Sequence, residues 1–164
     1  MGIEIERKFL IDPDKLPELK DGLPVRQSYL QFAGRPTGDI LVRARLTGDK
    51  AWLAIKTSNT GISRLEYEYE IPAKDAGEII DRLCSGNVIE KTRYWLKHGN
   101  HTWEVDIFEG DNKGLNMAEV ELSAEDEVID IPYWVTAEVT GDPRYYNNNL
   151  LLFPYKNWAD INHT

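Results

Sequence analysis

Cysteine is nearly missing: Cys84 is the only one in 164 residues, so no internal disulfide can form, and a reducing compartment is the expected setting. Equally missing is any apolar run near the roughly 20 residues that a membrane-spanning helix needs, and the N-terminus carries no signal-peptide pattern. Met1-Gly2 opens like a myristoylation site, but Glu6 stands where that motif requires Ser or Thr. A G-x-x-x-x-G-K-S/T loop is absent, which removes a Walker-type nucleotide site. Positive charge is in deficit: 19 Lys and Arg against 28 Asp and Glu leave a net charge of −9. Such a surface repels a duplex backbone, so neither a nucleic-acid nor a membrane partner is expected. Repeats, low-complexity tracts and linkers are also lacking, and residues 1–164 read as a single cytoplasmic domain.

What is present is period-two alternation, the mark of strands with unlike faces. In Gly2 to Ile11, Glu4, Glu6 and Lys8 share one face, while Ile3, Ile5 and Phe9 share the other with Arg7. Strands are expected at Val25 to Phe32, Ile40 to Leu46, Ala51 to Thr57, Arg64 to Ile71, Val88 to Lys97, Thr102 to Phe108 and Met117 to Leu122. Turns are expected at Gly34 to Gly38, Gly48 to Lys50, Asn59 to Gly61 and His98 to His101. Ala76, Ile79, Ile80 and Leu83 recur at helical spacing, which predicts a helix over Ala73 to Cys84 with Gly86 as its stop. Ser123 and Asp126 form a capping-box pattern at a second helix start. A Trp/Tyr-rich tail (Tyr133, Trp134, Tyr145, Tyr146, Phe153, Tyr155, Trp158) is available to cover the sheet.

One face of several strands is written almost wholly in charges, and the charges are sorted by strand. Acids gather as Glu4/Glu6, Glu66/Glu68/Glu70 and Glu119/Glu121, bases as Arg43/Arg45 and Lys91/Arg93. A merely solvated face, the ordinary reading of any one such strand, mixes residue types without this sorting. Residues two apart on a strand lie roughly 6.5–7 Å apart on the same face. Carboxylates so spaced suit Mg²⁺ or Mn²⁺, hard ions that take oxygen ligands and phosphate oxygens together. Paired Arg and Lys supply the fork geometry and charge that phosphate oxygens accept. Such a set describes a site for a highly charged phosphate chain.

Glu4-Ile5-Glu6-Arg7-Lys8 resembles the E-x-E-x-K signature of the CYTH domain, or triphosphate tunnel metalloenzyme, superfamily. Arg43-Ala44-Arg45, Lys56, Glu66 to Glu70, Lys91-Thr92-Arg93, Asp106 and Ala118 to Leu122 follow in the family's order. The run Glu138-Val139-Thr140 with Asp142-Pro143-Arg144-Tyr145-Tyr146-Asn147 resembles the ending of its short bacterial members, inorganic triphosphatases. The resemblance implies an α+β, mostly β chain: a closed eight-stranded antiparallel β-barrel forming a tunnel, charged face inward, with a few flanking helices. It implies that Lys8, Arg43, Arg45, Lys56, Lys91 and Arg93 hold the triphosphate. Glu4, Glu6, Glu119 and Glu121 would hold Mg²⁺ or Mn²⁺, with Glu121, then Glu119, orienting the attacking water. Glu68, Glu70 and Asp106 stand as second-rank contacts to metal or water, and Tyr29 resembles a family tyrosine that partners a lysine. The implied reaction is hydrolysis of inorganic triphosphate to pyrophosphate and phosphate.

Rival readings are a class IV adenylate cyclase or a thiamine or nucleoside triphosphatase of the same superfamily, and a non-catalytic polyphosphate- or nucleotide-binding module. The complete acidic pairs favour chemistry over mere binding, and no feature reads a base. Whether the protein is a monomer or a homodimer stays open at this level. Cys84 reads as a core residue, and His98 and His101 as solvated turn residues.

Overall fold

Among the residues that the computed structural model describes (2–30, 40–57, 62–84 and 87–160), nine strands and two α-helices form the regular structure. The strands are β1 (Ile3–Ile11), β2 (Leu23–Tyr29), β3 (Ile40–Thr47), β4 (Lys50–Thr57), β5 (Ser63–Ile71), β6 (Ile89–His98), β7 (His101–Phe108), β8 (Asn116–Glu121) and β9 (Val135–Glu138). The helices are α1 (Ala73–Leu83) and α2 (Asn147–Leu152). The strands that alternation predicts are all found, with ends displaced by a residue or two. The expected turns at 34–38 and 59–61, the helix stop at Gly86 and the last residues of the second strand lie outside the described residues.

All pairings are antiparallel, in the order β5-β4-β3-β2-β6-β7-β8-β1, and β1 pairs β5 again. That last contact closes an eight-stranded barrel. It is short: Ile3, Glu4 and Ile5 face Leu65, Arg64 and Ser63. Beyond it β1 exchanges partner, and Phe9, Leu10 and Ile11 pair with β9 outside the barrel ring. β9 was not expected, since its four residues sit inside the aromatic tail and carry no clear alternation.

The odd and even rows of each strand build two different cores. Outside the barrel, Phe9, Trp103, Val105, Ala118, Val120 and Leu122 pack with Ile129 and Trp134 of the segment after β8. The Trp103 ring, fully buried, lies 5.2 Å from Phe9 and 5.5 Å from Trp134, centroid to centroid. The expected helix at Ser123 does not form there. The Ser123 hydroxyl instead meets the Glu127 carboxylate, which His101 Nε2 also contacts at 2.7 Å, so the segment runs in turns along the barrel and delivers Ile129 and Trp134 to its wall. His101 therefore ties this segment down rather than simply facing solvent, while His98 Nε2 stands 3.2 Å from Asp130 on the same segment without a hydrogen bond to it.

Inside the barrel, the charged rows end in apolar residues at one end. Lys8 is followed inward by Leu10, Lys91 is preceded by Ile89, Asp106 is followed by Phe108 and Glu119 is preceded by Met117. Ile89, Phe108, Met117 and Leu115 are all buried, and Tyr145 and Leu150 of α2 cover them. The tunnel is therefore stoppered at this end. Helix α1 lays Ala76 and Ile80 against the outside of β2–β4. On β5, Leu65, Tyr67 and Tyr69 stay 45–59% exposed, and the two tyrosines also border the barrel cavity. No helix of the described residues is long and apolar enough to cross a membrane.

The outer core depends on one indole. Trp103→Ala should lower the unfolding free energy by about 3–5 kcal/mol in urea titrations. Val128→Ser, on a side chain 89% exposed, should leave it unchanged. Equal effects would contradict this packing.

Candidate active site

Closure turns the sorted strands into two facing walls around a cavity of 680 Å³. Inward positions on adjacent β4, β3, β2 and β6 are Lys56, then Arg43 and Arg45, then Gln27 and Tyr29, then Lys91 and Arg93. The other half, β7, β8, β1 and β5, presents Glu104, Glu119, Glu121, Glu4, Glu6, Glu66 and Glu68, with Lys8 and Arg64 set among them. Register holds each row in place, because directly opposed residues of an antiparallel pair point the same way. Glu6 opposes Glu121, Lys8 opposes Glu119 and Glu104 also opposes Glu119. Gln27 opposes Arg45, Tyr29 opposes Arg43 and Arg93 opposes Asp106.

Seven bases and seven acids line this space, and they pair with one another. Arg43 donates to Glu68 at 2.9 Å and Arg45 reaches the same carboxylate at 3.2 Å. Lys56 Nζ lies 3.2 Å from Glu66 and 3.6 Å from Glu4. Arg64 bridges Glu4 at 3.0 Å and Glu6 at 3.6 Å. Lys8 Nζ sits 3.2 Å from Glu119 and donates to the Tyr145 carbonyl at 3.2 Å. Behind the wall, Asp106 accepts two bonds from Arg93, 2.7 and 2.8 Å, and lies 2.8 Å from Lys91 Nζ. Lys91 also donates to Asn147 Oδ1 at 3.3 Å, and Arg93 contacts Glu104 as well.

Pairing divides the carboxylates into settled and unsettled ones. Burial works against the Glu4 anion, yet Lys56 and Arg64 outweigh it and bring its pKa down to about 2. Burial likewise opposes ionised Glu119, and Lys8, Arg93 and Lys91 overcome it. Glu6 goes the other way: burial first, then Glu119 and Glu4 beside it, push it up to about 8. On the basic side, burial, with Arg93 adding to it, lowers Lys91 to about 8 despite Asp106, and burial with Arg43 and Arg93 lowers Arg45 to about 10. Burial, reinforced by Glu119 and Glu4, thus favours the protonated Glu6 carboxyl, and burial, reinforced by Arg43 and Arg93, weakens the hold of Arg45 on its proton.

The structure brings together Glu4, Glu6, Lys8, Tyr29, Arg43, Arg45, Lys56, Glu68, Lys91, Arg93, Glu119 and Glu121 on one cavity. Glu70 is not among its lining residues, and Asp106 lies behind Lys91 and Arg93, its oxygens committed to them. Tyr29 lines the cavity, but its hydroxyl makes no hydrogen bond to a lysine among the described residues. Sequence reasoning missed Arg64, Glu104, Gln27 and Asn147 as cavity residues. Arg64 shares its parity with Glu66 and Glu68, and Glu104 with Asp106, so the same period-two rule finds both once the rows are extended. Gln27 and Asn147 carry no charge and gave no such signal.

Among the described residues, no group of three acidic, histidine or cysteine side chains stands ready to hold a metal ion. The donor set nonetheless suits a hard divalent ion. It is all oxygen, Glu6 opposes Glu121 in the ladder with Glu119 two residues along the same strand, and Mg²⁺-type sites use one or two carboxylates with water and phosphate oxygens completing the shell. Glu4, Glu6, Glu119 and Glu121 bring four carboxylates to the lining of this cavity.

The family model described as CYTH domain matches residues 2–146. An inorganic triphosphatase of Acetivibrio thermocellus is 49% identical over 160 residues, 98% of this chain and 100% of that protein. An inorganic triphosphatase of Nitrosomonas europaea is 38% identical over 152 residues, 91% of this chain and 97% of that protein. A crystal structure of an inorganic triphosphatase superposes with a TM-score of 0.63 at 35% identity, covering 90% of this chain and 97% of that one.

The Lys91–Asp106–Arg93 trio is buried throughout, so removing its one anion leaves Lys91 without its close carboxylate and takes both Asp106 bonds from Arg93, which keeps Glu104. Asp106→Asn should lower the unfolding free energy by about 3–5 kcal/mol in denaturant titrations. A loss below about 1 kcal/mol, the range of exposed pairs, would show that this carboxylate does not hold the basic wall.

Proposed function

The chain belongs to the CYTH domain family, and on that premise we propose that it is an inorganic triphosphatase, cutting tripolyphosphate to pyrophosphate and phosphate with the help of a divalent ion. The observation that carries this reading is the opposition of a basic and an acidic wall across one cavity. A phosphate chain needs the first; an ion that accompanies it needs the second. We assign Lys8, Arg43, Arg45, Lys56, Lys91 and Arg93 to the phosphate oxygens, adding Arg64 from the acidic side. Glu4, Glu6, Glu119 and Glu121 are assigned to Mg²⁺ or Mn²⁺.

In this mechanism the basic wall grips the chain along its length, trading carboxylate partners for phosphate oxygens. The guanidinium groups of Arg43 and Arg45 stabilise charge spreading over the transferring phosphoryl group, which is where electrostatic catalysis acts. A divalent ion, when bound, neutralises phosphate oxygens and makes a coordinated water more acidic. Glu121, an exposed lining carboxylate next to Glu6, accepts the proton of the attacking water as general base. Asp106 keeps Arg93 and Lys91 aimed at the cavity. The leaving pyrophosphate retains contacts to the remaining cations until it departs by the open end. Cys84, a buried free thiol, suits a reducing setting, and we place the protein in the cytoplasm as a single working domain.

Purified protein with Mg²⁺ or Mn²⁺ should release phosphate and pyrophosphate from tripolyphosphate in equal amounts, and EDTA should stop it. Glu121→Gln should cut turnover by about a hundredfold or more, with an unchanged melting temperature. Full activity in that variant would remove Glu121 from its role. Formation of cyclic AMP from ATP, in place of phosphate release, would transfer the reading to the cyclases.

A further inference from the structure

β2 is the odd member of the basic wall. Its inward row, Leu23, Val25, Gln27 and Tyr29, carries no charge, although β3 and β6 on either side supply Arg43, Arg45, Lys91 and Arg93. Gln27 is 1% exposed and lines the cavity directly opposite Arg45. Its amide nitrogen meets no hydrogen-bond acceptor. Five buried side-chain nitrogens are without a partner among the described residues, and three of them, Gln27 Nε2, Arg43 Nε and Arg45 Nε, belong to this one stretch of wall.

Buried donors without acceptors are uncommon and costly, because each has given up water for nothing. Three side by side on adjacent strands point to an acceptor that arrives from outside the chain. The protein's own acceptor in this sector is already divided, since Glu68 takes both Arg43 and Arg45. A third cation here would have no carboxylate left, whereas an amide offers two N–H donors without adding charge. We infer that Gln27 donates to a phosphate oxygen of the bound chain and is a substrate-contacting residue of the basic wall, an assignment that rests on the triphosphate reading above. The two arginines hold the chain by charge; Gln27 fixes a single oxygen between them.

This assignment carries a signature that a packing residue lacks. Gln27→Met keeps the length of the side chain and removes the orphaned donor, so the free protein should be as stable as the parent, or more so, in urea titrations. Calorimetric titration with sodium tripolyphosphate in EDTA should meanwhile show affinity weakened about tenfold, the loss of one hydrogen bond to a charged acceptor. Gln27→Glu, which turns a carboxylate toward the chain, should weaken it further. Affinity within about twofold of the parent would overturn the assignment. So would weaker binding accompanied by lost free-protein stability in both Gln27→Met and Gln27→Leu. Tripolyphosphate that binds with the expected pattern, yet is never cleaved with Mg²⁺, would sink the hydrolase reading and leave the Gln27 contact standing. Cleavage indifferent to Gln27 would do the reverse.

Discussion

Charges buried inside a narrow cylinder must be neutralised there, and this requirement governs the rest of the molecule. An ionised side chain taken from water into protein loses several kcal/mol of solvation, which only a close counter-charge restores. Here the counter-charges come from neighbouring strands: Lys56 faces Glu66, Lys8 faces Glu119 and Arg64 faces Glu4 across single ladders, and Arg43 reaches Glu68 two strands away. Because seven bases meet seven acids among the described residues, the formal charges lining the free cavity balance. A polyanion disturbs that balance. It satisfies the basic wall and strips the acidic wall of partners, so a divalent cation entering with it restores neutrality. On this view metal dependence is a consequence of charge balance in the cavity, not an added feature.

Part of this network exists only because the sheet closes. In an open sheet β1 would lie at the far edge from β4 and β5, and Glu4 and Glu6 could meet neither Arg64 nor Lys56. The closing ladder between β1 and β5 has just three residue pairs, yet Arg64 reinforces it from the inside by binding both Glu4 and Glu6. Function and closure therefore share the same side chains. The outer surface then divides into covered and uncovered sectors, with Trp103 and Trp134 sealing one and α1 another.

Alternation made the strands and their charged rows legible, since period two is a property of the residues alone. Which rows meet across the barrel was not legible, because closure depends on pairings 60 residues apart, such as Arg64 with Glu4. The family resemblance supplied what periodicity could not. Local patterns misled at Ser123, where a capping signature lost to a side-chain bond with Glu127 and to the pull of Ile129 and Trp134 into the outer core. Asp106 was visible as an acid on the right face, but its commitment to Lys91 and Arg93 became apparent only from their distances. Neutral participants such as Gln27 and Asn147 were invisible for a simple reason: a search for charges cannot find an amide.

The stopper at one end gives the cavity a direction. Near it, Lys91 lies over the Phe108 ring at 5.2 Å and Lys8 over Tyr146 at 5.8 Å, so these cations face apolar surroundings rather than solvent. Charge–charge attraction strengthens as the local dielectric falls, and the same two lysines therefore pull harder on a phosphate than surface lysines would. Trp52 and Trp95 line the cavity at the opposite ends of their rows, and Trp95 is exposed. In the proposed mechanism a phosphate chain enters at the other end and advances toward Lys8 and Lys91, and the buried Ile89, Met117 and Phe108 set its limit. On that proposal the end of the chain, with its highest charge density, rests beside Lys8 and Lys91, whose partners in the free protein are Glu119 and Asp106, and the stopper sets the substrate's direction.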